Sequence, residues 1–312
     1  PDSLPALFRQ RDLALLAILA ILVVPEIRGM QFAGKAVFFY WFAAFLTFQL
    51  PSLVVFSWLA RQAPAHVPLY AWILRLLDER WRSVLLFFSW WSGVLIVLPA
   101  IGICLEMLQV LSLPWFSSVP AQCVAFVVLL ALVTLCASLP VRLFKIVLWT
   151  SGLCYLAAFA LIGMAALVSL IHIQSTTGAL PHLALTILPG RFSWSIFGLA
   201  LLCQIGVNVP LFLDGEIRGT QRFLRSSTSY LWWAGLGSLL ILLLVTVFWI
   251  VTDPTLHVIQ KHIYLLIGPI LGHNVMIIGQ WLLFLGSFGG ALAYLFLFSR
   301  AFLMAARQHC LP

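Results

Sequence analysis

Residues 201–219 read LLCQIGVNVPLFLDGEIRG, and they interrupt a long apolar stretch with side chains that a membrane-spanning helix rarely carries together. Gln204, Gly206, Asn208 and Pro210 fall within this stretch. Proline removes a backbone donor and glycine loosens a helix, so several backbone amides and carbonyls are freed here. Two interpretations stay open: a helix broken to form a binding site, and a kinked structural helix.

A second interruption, VVPEIRGM, occupies residues 23–30. It combines Pro25 and Gly29 with the charged residues Glu26 and Arg28. Charged side chains at membrane depth are costly unless they pair or line water, so their presence indicates a functional position. The alternative is the outer end of a short helix, where both charges are solvated.

The composition places these interruptions in a membrane protein. Of 312 residues, 63% are hydrophobic and 8% are charged, and the mean hydropathy is +1.10. A soluble domain carries about 25% charged residues, so soluble α/β, disordered and collagen-like classes are excluded. We predict an all-α polytopic membrane protein in the lipid bilayer with eight spans: Asp12–Val24, Ala36–Leu59, Val84–Leu113, Ala121–Leu139, Leu143–Ile173, Phe192–Leu213, Tyr230–Val251 and Gly272–Ala306.

The distribution of Lys and Arg predicts the orientation. With the N-terminus in the cytoplasm, thirteen of the seventeen fall inside, and Arg28, Lys35, Arg191 and Lys261 fall outside. This bias explains the formal net charge of +8 without a nucleic-acid partner. We expect a multi-pass protein of the cytoplasmic membrane, with the N-terminus and residue 312 both on the cytoplasmic side. The segment Pro64–Trp81 is predicted to be an amphipathic helix on the inner face.

The two interruptions lie in spans 1 and 6, five spans apart and opposite in direction. This arrangement is typical of an inverted five-helix repeat, in which paired broken helices form a site at the membrane midplane. Within one transmembrane domain over 1–312, residues 12–173 would form the first repeat, and 192–306 the first three helices of the second. Half-helix N-termini suit a carboxylate and freed carbonyls suit an ammonium, so a zwitterion fits both.

Three motifs resemble the amino acid–polyamine–organocation (APC) superfamily over essentially the whole chain. IGVNVPLFLDGEIRGTQRFLRSS is similar to its broken sixth helix and the E-I-(K/R)-N-P segment that follows, although Gly219 and Thr220 replace the Asn-Pro. FSRAFLMAARQHCLP resembles the end of its helix 8, and PAHVPLYAW its loop between helices 2 and 3. RGM and FFYWFAAFLTFQLP look most like the glutamate/γ-aminobutyrate antiporter branch.

The resemblance implies a LeuT-type fold of 5+5 inverted repeats, of which the chain would be a fragment truncated after helix 8 of about twelve. It implies secondary active transport of amino acids or related amines by alternating access. Backbone groups would hold the substrate at two places. The α-carboxylate would be bound at Ile27, Arg28, Gly29 and Met30. The α-ammonium would be bound at Leu202, Cys203, Gln204, Ile205 and Gly206. Tyr294 falls at the position of an aromatic gate.

The candidate coupling and gating residues match the family pattern less closely than the motifs do. Asn208 stands where many members have a Glu, and span 5 has no Lys beyond Lys145 at its inner edge, which favours exchange over Lys-based symport. Protons remain a candidate co-substrate through Glu26 or Glu106, the latter being a coupling residue or a hydrated vestibule residue. Glu216 is a candidate gate or helix cap at the inner end of span 6.

No cofactor or metal is expected, because the His and Cys residues lack metal-ligand spacing. Two alternatives to a transporter are open. A polytopic membrane enzyme would need motifs such as H-E-x-x-H or G-x-S-x-G, which do not occur in the sequence. A truncated relative that does not transport is the other alternative.

Overall fold

The computed structural model describes residues 8–21, 30, 33, 36–62, 79–110, 118–177, 189, 191–204, 232, 235–241, 243, 244, 246 and 267–307. These residues are helical almost throughout, and no β-strand occurs among them. The predicted all-α class is therefore confirmed for the part of the chain that the structure describes. The amphipathic segment predicted at Pro64–Trp81 lies mostly outside it.

Nine α-helices and one π-helical segment follow one another along the described residues. They are α1 (Gln10–Ile21), α2 (Val37–Ala44), the π-helix (Phe45–Gln49), α3 (Leu50–Gln62), α4 (Glu79–Val110), α5 (Val119–Ser138), α6 (Val141–Thr177), α7 (Trp194–Leu202), α8 (Gly268–Leu271) and α9 (His273–Arg307). Residues 235–241 are also helical.

Four helical segments among the described residues are long and apolar enough to cross a membrane. They are Val37–Val55, Val119–Ser138, Val141–His172 and His273–Arg300, which fall in predicted spans 2, 4, 5 and 8. A shorter apolar stretch, Ile96–Gln109, lies in α4 within predicted span 3. α4 begins at Glu79, five residues before the predicted start. These segments are compatible with a membrane-embedded protein.

Local sequence explains where α5 ends and α6 begins. The Oγ of Ser118 accepts a hydrogen bond from the backbone N–H of Ala121 at 3.4 Å and so caps α5. Leu139 adopts an extended conformation with ψ 153° because the following Pro140 disfavours helical geometry at that residue. α6 begins directly after Pro140, so the two helices are joined by two residues.

α9 is the helix around which much of the described protein packs. It contacts α1, α4, α5 and α6 along its length. A Cβ on Gly289 would lie 2.3 Å from the Cβ of Ser151, and a Cβ on Gly286 would lie 2.2 Å from the Tyr155 ring. The two glycines therefore allow α6 and α9 to approach closely. α2 and the π-helix pack instead against α7.

Candidate functional site

The structure describes six of the fourteen residues predicted for the site. These are Met30, Glu106, Leu202, Cys203, Gln204 and Tyr294. The other eight lie outside the described residues: Glu26, Ile27, Arg28, Gly29, Ile205, Gly206, Asn208 and Glu216.

α7 ends inside the predicted sixth span. It has nine residues, which at 1.5 Å per residue is about 13 Å, less than half of the hydrocarbon thickness of a bilayer. Cys203 and Gln204 form a turn after it, in which the backbone N–H groups of Cys203 and Gln204 donate to the carbonyls of Leu199 and Leu201, each at 3.0 Å. The helix thus stops just before the Gly206 to Pro210 stretch.

Gln204 is fully buried at this helix end. Its Nε2 donates to the backbone carbonyl of Trp41 on α2 at 3.1 Å. Its Oε1 is buried without a hydrogen-bond partner in the part of the chain that the structure describes. A buried acceptor without a partner costs about 1–3 kcal/mol, so this position favours a donor group within hydrogen-bond distance of Oε1. Cys203 is also fully buried, whereas Leu202 is exposed.

Tyr294 lies on α9 and reaches the end of α1. Its buried hydroxyl donates a hydrogen bond to the carbonyl of Ala20. A Cβ on Gly290 would lie 3.4 Å from the carbonyl oxygen of Leu19, so the backbones are close here too. The described helix ends at Ile21, shortly before the predicted interruption at residues 23–30. Tyr294 therefore holds the end of α1 against α9, while Gln204 holds the end of α7 against α2.

Glu106 and Met30 occupy different environments. Glu106 is half-buried on α4, and Met30 is fully buried. Cys104, two residues before Glu106, is directed to α9, since its Sγ lies 3.9 Å from the carbonyl oxygen of Phe284. Residues two apart on a helix point in roughly opposite directions, so Glu106 lies on another face of α4 than the one that meets α9 through Cys104. The coupling and vestibule roles of Glu106 both stay predictions.

An ion pair that the sequence did not reveal joins α1 to α6. The Nζ of Lys145 lies 2.7 Å from Oδ2 of Asp12, a carboxylate that is almost fully buried. Asp12 also accepts hydrogen bonds from the Trp149 indole and from the backbone N–H of Arg9, both at 2.9 Å. The sequence contained one hint of this pair, because Asp12 is an acidic residue in the first turn of an apolar span. Locally, however, such a residue is explained as a cap of the helix N-terminus. Its partner, 133 residues away, leaves no local pattern.

A cluster of aromatic rings adjoins this ion pair at the same end of the helices. The rings of Phe144 and Phe296 stack at a centroid distance of 4.0 Å, and Phe8 meets Phe296 edge-on at 5.8 Å. Lys145 Nζ lies 4.8 Å from the centre of the Phe8 ring. The three phenylalanines and the ion pair thus join the N-terminal ends of α1 and α6 to the C-terminal part of α9.

No group of three or more His, Cys, Asp or Glu residues that could hold a metal ion occurs among the residues that the structure describes. Comparison of the chain with protein-family models and with curated proteins finds no match.

Proposed function

We propose that the protein is a secondary transporter, a permease or antiporter of the APC type, that moves amino acids or related amines across the cytoplasmic membrane. The observation that carries the proposal is the end of α7 at Leu202, where fully buried Gln204 presents an Oε1 without a partner among the described residues. A short helix that stops inside an apolar span is typical of the broken helices that line transporter sites.

An ammonium group suits the Gln204 oxygen for a simple chemical reason. An amide oxygen can only accept, and an ammonium carries three donors and no acceptor. A hydrogen bond from a charged donor is roughly twice as strong as one between neutral groups, and it relieves the cost of the buried acceptor. The substrate class proposed here is therefore a primary amine or the amino end of a zwitterion.

The helix packing supports an arrangement of two inverted repeats. α4 packs along α9, which pairs predicted spans 3 and 8. Predicted span 2 meets span 7 through two hydrogen bonds: Trp41 Nε1 donates to Thr246 Oγ1 at 3.0 Å, and Gln49 Nε2 donates to Ser238 Oγ at 3.1 Å. Spans 2 and 7, like spans 3 and 8, are equivalent members of the two proposed repeats. Equivalent helices meet in this way when a pseudo-two-fold axis passes between them.

Contacts fix both described ends of α1. Such contacts are expected in one conformation of a transporter whose first helix moves during the transport cycle. Asp12 pairs with Lys145 at the N-terminal end, and Tyr294 donates to Ala20 near the other end. Alternating access requires discrete contacts that form in one state and break in another. We assign the Asp12–Lys145 pair and the phenylalanines around it to a state closed at this end of the protein.

Transport by the full-length gene product in proteoliposomes tests the proposal. Vesicles loaded with one unlabelled amino acid or amine at a time are given a labelled external substrate, with glutamate and γ-aminobutyrate tested first. We expect saturable uptake that internal substrate accelerates, and none in protein-free vesicles. The absence of saturable uptake across amino acids and polyamines would show that the protein is not a transporter of this class.

A further inference from the structure

A pocket rich in positive charge lies between the N-terminal ends of α1 and α6. It is open and has a volume of about 540 Å³. Its charged and aromatic lining comprises Arg9, Arg11, Asp12, Arg142, Lys145 and Trp149. Three arginines and one lysine against one aspartate leave three positive charges in excess. We call this site the basic pocket.

The carboxylate of Asp12 leaves most of this charge uncompensated. Its two oxygens already receive the Lys145 ammonium at 2.7 Å, the Trp149 indole N–H at 2.9 Å and the Arg9 backbone N–H at 2.9 Å. Asp12 therefore neutralises Lys145, a residue that is itself half-buried. The side chains of Arg11 and Arg142 are exposed at the pocket and can turn toward a ligand.

Two further features of the basic pocket favour an anion. α1 begins at Gln10 and α6 at Val141, so the positive ends of two helix dipoles lie at the same pocket as the arginines. Arginine also presents its donors in a planar fork that matches the oxygens of a phosphate group. The charge, the helix ends and the donor geometry together point to a phosphate group as the ligand.

An exposed apolar face of α6 begins directly beside the pocket. Five apolar residues share this face because each lies about one, two or four helical turns from the next. They are Leu143, Ile146, Leu153, Leu167 and Ile171. Their side chains are 49% to 66% exposed. Leu143 follows Arg142 immediately, so a molecule with its phosphate in the pocket could lay an apolar tail along α6. A phospholipid has this combination of groups.

We propose that the basic pocket binds the phosphate group of an anionic phospholipid whose acyl chains lie along the exposed face of α6. The predicted orientation places the pocket at the cytoplasmic leaflet, where anionic lipids attract Lys and Arg. Trp149 fits this position, since tryptophan is enriched at the membrane interface. The proposal does not depend on transport, because its test measures lipid retention and changes only Arg11 and Arg142, which belong neither to the proposed substrate site nor to the Asp12–Lys145 pair.

Lipid retention measured by native mass spectrometry tests the proposal on the full-length protein in detergent. The protein is mixed with phosphatidylglycerol or with phosphatidylcholine of the same acyl chains. We expect selective retention of phosphatidylglycerol, and a loss of about 30-fold in its affinity in the double variant R11Q/R142Q, since each arginine near an anionic lipid contributes about fivefold. The control R191Q removes an exposed arginine that precedes α7 and should retain the lipid as the wild type does.

Inorganic phosphate added in a parallel arm separates the two sources of the ligand chemistry. We expect it to displace phosphatidylglycerol only in large molar excess, because it lacks the acyl chains. Displacement at equal concentration would assign the pocket to free phosphate and overturn the lipid proposal. Equal retention of the two lipids, or full retention in R11Q/R142Q, would overturn it as well. If the melting temperature of R11Q/R142Q without lipid is below that of the wild type, the single variant R142Q replaces it in the retention measurement.

Discussion

Helices α5 and α9 are similarly apolar, yet the structure gives them opposite surroundings. Their membrane-crossing windows have mean hydropathies of 2.4 and 1.9. Only 11% of the α5 window is buried inside the protein, against 61% of the α9 window. Hydropathy therefore indicates that both helices can cross a membrane, but it does not indicate which of them has protein neighbours.

Glycine distinguishes the two helices. α9 contains Gly286, Gly289 and Gly290, and α5 contains no glycine. Lipid tails are as apolar as leucine, so helices in a membrane associate mainly where small residues let their backbones approach. The exposed face of α5 is lined instead by bulky residues: Val124, Val127, Val128, Leu132 and Leu135. This difference makes α9 the sensitive helix and α5 the tolerant one.

The largest effect is expected from a bulky residue at the α6–α9 contact. In Gly289→Leu, the new side chain would meet Ser151, whose Cβ lies 2.3 Å from the position of an added Cβ. The helices must then part, and we expect the free energy of unfolding to fall by about 3 kcal/mol. Equilibrium unfolding by dodecyl sulfate in mixed micelles measures the change.

The matched control for this variant is Ala131→Leu on α5. Ala131 is also small, but it is exposed, so its enlargement should change the free energy of unfolding by less than about 0.5 kcal/mol. Equal losses in the two variants would contradict the assignment of α9 to the packed interior and of α5 to the periphery.

A smaller effect is expected from the ion pair that fixes α1 to α6. Asp12→Asn removes the carboxylate charge that lies 2.7 Å from the Lys145 ammonium. Lys145 retains 22% of its side-chain exposure, so the loss should be about 2 kcal/mol, below that of a fully buried pair. Unfolding in the same micelles provides the measurement.

A double-mutant cycle separates the ion pair from a general effect of charge. The double variant of Asp12→Asn with Lys145→Met should be less destabilised than the sum of the two single variants, because each single variant already removes the same contact. Arg142→Gln, which removes an exposed charge nearby, should be nearly neutral. Additive losses would show that the pair contributes little.

The smallest effect in this series concerns Tyr294. Tyr294→Phe keeps the ring and removes the hydroxyl that donates to Ala20, so we expect a loss of about 1 kcal/mol in stability. Thr134→Ala on α5 removes a hydroxyl that donates to the Leu130 carbonyl at 2.8 Å within its own exposed helix, and it should be nearly silent. A silent Tyr294→Phe would indicate that α9 does not hold the end of α1 through this hydroxyl.

The sequence predicted the features that depend on composition and on helix-breaking residues between apolar runs. It predicted an all-helical chain, and it predicted spans that coincide with α5, α6 and α9 to within a few residues, because apolar runs and the Leu139-Pro140 boundary are local signals. The ion pair of Asp12 with Lys145 and the contact of Gly289 with Ser151 could not be predicted, since each joins residues more than 130 positions apart. Gln204 was predicted as a site residue, but its donor contact to Trp41 was not.

Substrate binding to the Gln204→Leu variant tests the central claim most directly. Gln49→Leu is the matched control, because Gln49 is another buried glutamine with one donor contact and an Oε1 that lacks a partner among the described residues. We predict that Gln204→Leu weakens the apparent affinity for the transported amine at least about tenfold in proteoliposomes, and that Gln49→Leu leaves it unchanged. Equal affinities in the wild type and in Gln204→Leu would contradict a substrate site at the end of α7.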